Sequence, residues 1–305
     1  MTLRVTLLVL FLALVGVGAT DIHLAGTQAS ESNHTARHVA ARHVAAPRVT
    51  TPTRAAKAET TASTQALAAA ASSRRLAATW VASQVAHSVI VACDPLMCTA
   101  LQQRGFPAAN LETIGSSSSD PLGSGVVIST LAVRSAIGTR LTSVYAPVAI
   151  ASFGRGPSLV QVLVTAPDGT AAYMSAEHAD MTARVTAGRE LLGNKNLHLS
   201  TAAAAQLAAG KVDSRLLMTL AALTSRQLVD VTGFGDAGPG AATGVPLRAM
   251  SIRSTGSSYL HSTLAFLRAQ RSPLLAIATV SQRGGSTTLN VTFTAPSPTG
   301  LLPEN

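Results

Sequence analysis

Apolar positions fall into three regimes along the chain. Val5 to Val17 (VTLLVLFLALVGV) is an unbroken apolar run behind Arg4. From Thr20 to about Ser63 large apolar residues almost vanish. From Gln65 onward they recur with the periods of helices and strands. The first recurrence predicts a helix from Gln65 to about Ala86, with Leu76, Trp80 and Val85 inward. Val89–Ala92 (VIVA) reads as a short buried strand. Asp94-Pro95 then opens a helix reaching Arg104: the aspartate accepts free amides and proline fits the first turn. Gly105 closes it. Asn110–Ile114 and Val126–Thr130 read as strands around a Ser116–Ser124 loop, and Leu131–Val144 as a helix. Val148–Phe153 and Leu159–Thr165 are two further strands, linked across Gly154–Pro157. Strands alternating with helices predict an α/β lobe over residues 65–166 with a largely parallel sheet.

Pro167-Asp168-Gly169 is a turn signature that starts a second lobe, residues 167–296, with a tail over 297–305. A helix over Thr170–Leu192 carries Met174, Met181, Val185 and Leu192 as its apolar stripe and stops at Gly193. Ser200 caps a short helix that ends at Gly210. Asp213 caps a stronger one with Leu216, Leu217, Leu220 and Leu223 inward. Strands are predicted over Leu228–Phe234 and Leu247–Arg253, and a helix over Ser258–Gln270. Leu274–Val280 and Thr287–Thr294 follow as a hairpin around Arg283-Gly284-Gly285. This order is α+β.

The apolar run behind Arg4 has the length of a secretory signal and is short for a membrane span. Val17-Gly18-Ala19 offers small residues for cleavage, so residues 1–19 read as a signal peptide or a signal anchor. The positive charge precedes the run, which places the body outside the cytoplasmic membrane, anchored or secreted. Residues 20–64, rich in Ala, Thr, Arg and His, cannot bury enough surface to offset ordering and read as a disordered spacer. Within it Arg37–Ala41 (RHVAA) repeats at once as Arg42–Ala46. His34 and His38 belong to this solvated, proline-punctuated tail. The sequons at Asn33 and Asn290 are weak in a chain so rich in Ser and Thr.

Charge sharpens this division. Residues 1–90 hold eight Lys or Arg against three Asp or Glu, and residues 91–305 fifteen against eleven. A basic tail suits anionic lipid, wall polymer or nucleic acid. Nucleic-acid recognition also needs aromatic platforms or a reading helix, and the tail before Trp80 has no aromatic beyond Phe11. Nucleic acid is therefore not expected as a partner.

Candidate chemistry is sparse. Cys93 and Cys98, spaced CDPLMC, suit a disulfide in an exported protein, the alternative being two buried free thiols. Gly233–Gly238 fits G-x-G-x-x-G after a strand. Pro239, Gly240, Gly244 and Pro246 prevent the helix that would meet a pyrophosphate, so the segment reads as a mobile glycine-rich loop. G-x-S-x-G, S-x-x-K and H-E-x-x-H do not occur. Asp94 and Asp120 lie where strands hand over to helices or loops, the rim at which open α/β sheets bind ligands, and are the candidate ligand contacts. No catalytic residue, metal or cofactor is expected.

Trp80-Val81-Ala82, Val89–Ala92, Asp94, Gly105-Phe106-Pro107 and Ala149–Gly154 (AIASFG) resemble the extracytoplasmic carboxy-terminal module of actinobacterial membrane glycosyltransferases. The likeness covers roughly residues 75–166, and the whole chain is similar to a family of exported actinobacterial proteins. That module is not the catalytic part of those enzymes, so the resemblance implies an accessory fold. The second lobe is loosely similar to secreted zinc peptidases that trim peptidoglycan. Such a site needs His and Asp ligands converging on one metal. Gly235–Arg248 holds Asp236 without a histidine, while His178, His198 and His261 lie far apart; Asp236 and His261 would be the ligand candidates. The expected function is a cell-envelope accessory or binding protein without its own catalysis, its partner an envelope protein or a cell-wall glycan. The alternative is a wall-acting hydrolase with an unfamiliar site.

Overall fold

Small residues set the first packing layer. In the computed structural model, which describes residues 53–115, 120–236 and 238–303 and the backbone alone for 53–62, helix α1 (Thr53–Gln84) lays Ser73, Ala77 and Val81 against the first sheet. This i, i+4, i+8 row of small side chains lets helix and sheet approach closely. Gly154 touches the Ser73 side chain at φ +78°, where no Cβ fits. Leu76, expected inward, is 48% exposed, whereas Trp80 and Val85 are buried. The helix begins at Thr53 rather than near Gln65, because Ala, Lys and Glu over 55–59 favour helix without an apolar face. The signal segment 1–19, the RHVAA repeat, the Asn33 sequon and the spacer up to residue 52 lie outside the described residues.

The first lobe continues through β1 (Val91–Cys93), α2 (Pro95–Gln102), β2 (Leu111–Thr113), β3 (Val126–Ser129) and α3 (Leu131–Ile137). After a wide turn at Leu141–Tyr145 come β4 (Val148–Phe153) and β5 (Val160–Val164). Gly138, at φ +67°, caps α3 and cuts short the helix expected to reach Val144. Strand order is β2-β1-β3-β5-β4. β1 runs parallel to β2 and β3, but β5 is antiparallel to β3 and to β4. The sheet is mixed rather than largely parallel, since a link as short as Gly154–Leu159 can only return a strand antiparallel. Both faces are covered. Trp80, Met97, Leu101 and Phe106 fill one side, and Val133, Leu141 and Leu163 the other.

The second lobe comprises α4 (Thr170–Leu192), β6 (Leu197–Leu199), α5 (Thr201–Ala208), α6 (Ser214–Thr224), β7 (Val229–Gly235), β8 (Ala249–Arg253), α7 (Ser257–Ala269), β9 (Ile277–Arg283) and β10 (Ser286–Thr292). Its sheet order is β6-β7-β8-β10-β9, with β6 parallel to β7 and the rest antiparallel. Gly284 and Gly285, at φ +57° and +80°, form the two-residue turn that the twist of a β-hairpin prefers. Leu207, Leu216, Leu220, Leu267, Leu289 and Val291 are in one core on one face of this sheet. The inward face of α4 departs from expectation. Met174, Met181 and Leu192 are exposed, while Asp180, Arg184, Gly188 and Leu191 are buried. Gly188 meets the Leu207 backbone where no Cβ fits, so α4 and α5 pack backbone to backbone and bury an ion pair instead of methionines.

Candidate functional site

Both lobes belong to one unit, joined along a seam of backbone hydrogen bonds. The glycine-rich segment that follows β7 adds itself to the free edge of β4. The Ser152 amide donates to the Gly240 carbonyl at 2.8 Å, and the Ala242 amide to the Ile150 carbonyl at 2.9 Å. Gly240, at φ +101°, packs against the Phe153 ring where a Cβ has no room, and Gly238 faces Trp80. This segment is therefore a docked strand-like strip rather than a mobile loop. No helix follows it within the described residues, and β8 comes next. On the far side, the chain leaving β10 runs beside the end of α1. The Ala295 amide donates to the Gln84 carbonyl at 2.6 Å, and the Ala86 amide to the Ala295 carbonyl at 3.0 Å.

Three buried ion pairs hold that carboxy-terminal segment. Arg248 meets Asp236 at 2.8 Å and donates to the Phe293 carbonyl at 3.1 Å. Arg215 meets Asp213 at 2.7 Å and donates to the Thr294 carbonyl at 3.0 Å. Asp213 also accepts from the Ser297 hydroxyl. Arg184 meets Asp180 at 2.6 Å, and Asp180 accepts from the Gly300 amide at 3.2 Å. Burial raises the Asp213 carboxyl, but the hydrogen bonds and charge of Arg215 outweigh it and hold it below the usual range. Burial likewise pulls the Arg248 guanidinium down, which Asp236 partly offsets.

Beside these strips lies a cleft of about 170 Å³ lined by Ile150 and Val164 of the first sheet, Tyr173 and Glu177 of α4, and Arg248 and Ser297. The Tyr173 hydroxyl donates to Glu177 Oε1 at 3.4 Å. Burial pushes the Glu177 carboxyl up; Asp180 adds to this and Arg184 opposes it. Burial and the neighbouring Glu177 push the Tyr173 phenol well above its ordinary value, so it stays a neutral donor. Arg248 and Ser297 are already committed to Asp236 and Asp213. What the cleft offers an incoming group is an apolar wall beside a carboxyl able to donate or accept according to its protonation.

The residues singled out in the sequence lie elsewhere. Asp94 follows β1, is buried, accepts from the Met97 amide at 3.0 Å and takes the Thr130 hydroxyl on its other oxygen. It caps α2 and ties that cap to the cap of α3. Asp120 is exposed and accepts from the Leu122 amide at 3.1 Å. It precedes β3, which runs parallel to β1, so the two aspartates sit toward opposite ends of the sheet and form no joint site. Cys93 and Cys98 are joined by a disulfide with a Cα–Cα distance of 5.5 Å. His178, His198 and His261 are all exposed, and among the described residues no three His, Cys, Asp or Glu come together as a metal site requires. Tyr173 and Glu177 escaped the sequence reading. Their i, i+4 spacing on a predicted helix was a visible signal, but only the docking of the lobes makes it a cleft. Compared with known protein families, curated proteins and solved structures, the chain matches none.

Proposed function

We propose that this chain is an exported accessory protein of the cell envelope that binds a larger partner, an envelope protein or a cell-wall glycan, through the cleft between its lobes. The cleft itself carries this reading. Pockets that enclose whole small molecules are typically ~300 Å³ or more; one of about 170 Å³ suits a single projecting group of something larger. Its Arg248 and Ser297 are occupied in holding the lobes and the carboxy-terminal segment together, through Asp236 and the Phe293 carbonyl and through Asp213. Glu177 and Tyr173 remain to recognise a hydrogen-bonding group against apolar walls. The Cys93–Cys98 disulfide supports a location beyond the reducing cytoplasm. So does the amino-terminal signal, and the likeness of residues 75–166 to an extracytoplasmic, non-catalytic module supports the accessory role. No helix among the described residues is long and apolar enough to cross a membrane.

The test places a photo-crosslinking amino acid at Met174, which lines the cleft and is 48% exposed, and a second at exposed His198 as control. Irradiation of intact cells producing the full chain should yield a discrete adduct from position 174 alone. An adduct pattern identical at both positions, or none at 174, would count against the cleft as the binding site.

A further inference from the structure

The two sheets of the described residues have four edges, and three of them are closed to new strands. β2 and β6 are three residues long, and β4 is covered by the docked 240–242 strip. Short or covered edges are the ordinary protection against unwanted pairing. β9 has neither protection. It runs seven residues in unbroken register with β10, without proline, lysine or bulge, and its only charge is Arg283 beside the turn. Nearly all of it is exposed, Val280 at 43%.

The direction of its free backbone groups follows from the ladder. The Ser254 amide bonds the Thr287 carbonyl and the Phe293 amide bonds the Arg248 carbonyl, so the odd-numbered residues of β10 turn their polar groups toward β8. The even-numbered ones face β9 and engage Ile277, Thr279, Ser281 and Arg283. Ala278, Val280 and Gln282 therefore direct their amides and carbonyls to the open edge, a row of three donors and three acceptors.

We propose that β9 pairs with β9 of a second copy of this chain, antiparallel about a two-fold axis at Val280, to make one ten-stranded sheet. The strand is self-complementary in that register. Val280 bonds its own copy, and Ala278 bonds Gln282 of the other chain. Arg283 falls opposite Ile277 rather than opposite another cation, and Thr279 opposite Ser281. Val280 shares a face with Leu289, its partner on β10, so the half-exposed end of that core row closes against the identical residue. On the other face the chain of bonds from Ser251 through Asn290 to Ser281 continues toward Thr279 of the second copy. A closed two-fold contact of this kind stops at the dimer instead of propagating.

Light scattering on the full chain across a concentration series tests this, together with Val280→Pro. Proline there removes an amide that faces the edge and not β10, so the hairpin itself should survive. The expected result is a concentration-dependent dimer that Val280→Pro converts to monomer, with unchanged circular dichroism. Val280→Cys should give an oxidatively crosslinked dimer more readily than Thr279→Cys. A chain that stays monomeric overturns the proposal and leaves the edge to a strand of another protein. A dimer that persists in both Val280→Pro and Val280→Lys overturns it as well.

Discussion

Arg248 of the second lobe lies over the Trp80 ring of the first, its guanidinium carbon 5.6 Å from the ring centroid. The same guanidinium binds Asp236 and the Phe293 carbonyl. One side chain thus reads the first lobe through an aromatic face, the glycine-rich strip through a carboxylate and the carboxy-terminal segment through its backbone. Lysine could supply the charge but not this planar fork.

Because Arg248 is 3% exposed, removing either member of its ion pair strands a charge in a poorly hydrated place. Asp236→Ala and Arg248→Ala should each destabilise the chain by about 3 kcal/mol. The double variant should cost clearly less than their sum, since the two share one interaction. Urea unfolding followed by tryptophan fluorescence reads this at the seam, because Trp80 is the chain's single tryptophan. Additive losses would show that the pair is not the coupling assigned here.

Gly240 and Gly244 separate steric contact from backbone strain. Both have strongly positive φ, but a Cβ at Gly240 runs into the Phe153 ring and one at Gly244 meets nothing. Alanine at Gly244 should cost on the order of 1 kcal/mol for the backbone alone. Alanine at Gly240 should cost at least about 1 kcal/mol more, and Phe153→Leu should recover part of that excess. Equal losses in equilibrium unfolding would mean the strip is not seated against the ring.

Most elements were legible because period and caps agree locally. Asp94-Pro95, Ser200 and Asp213 cap the helices they announce, and Leu216, Leu217, Leu220 and Leu223 all face the core. The errors arise where packing contradicts hydrophobicity. Met174 and Met181 mark the wrong face of α4 because Gly188 permits a close crossing and Arg184 brings Asp180 inside. The mixed first sheet was implicit in the short Gly154–Leu159 link, which a helix–strand alternation count overlooks. The cleft was not legible, since Glu177, Ser297 and Ile150 meet only after two lobes dock through a strip that reads as a loop.

Cys93–Cys98 closes a loop at the junction of β1 and α2. In the chain-entropy model so short a loop contributes about 2 kcal/mol, so reduction should lower the melting temperature without unfolding the protein. Mass spectrometry after alkylation, with and without prior reduction, should show two alkylations only in the reduced sample. Two alkylations without reduction would remove the bridge as an indicator of export.

Two carboxyls give the stability profile opposite slopes. Asp213 is driven up by burial but held below its ordinary value by Arg215, so the native state binds its proton less readily than the unfolded chain does. Its contribution is present above the ordinary carboxylate value and is lost as pH falls through the depressed one. Glu177 is raised chiefly by burial, so the native state holds its proton when the unfolded chain has released it. Its contribution is present below the ordinary glutamate value and disappears as pH rises through the elevated one. Glu177→Gln keeps an oxygen to accept from Tyr173 and removes the charge. It should raise the melting temperature above that window and leave it nearly unchanged in acid. Asp213→Asn should flatten the acid limb, destabilising wherever the parent carboxylate is ionised because Arg215 is then buried without its counter-charge, and converging on the parent as acid protonates Asp213. Melting curves for the three proteins from about pH 3 to about pH 9 span both windows. A Glu177→Gln curve parallel to the parent throughout would show that the carboxyl is not desolvated by the cleft.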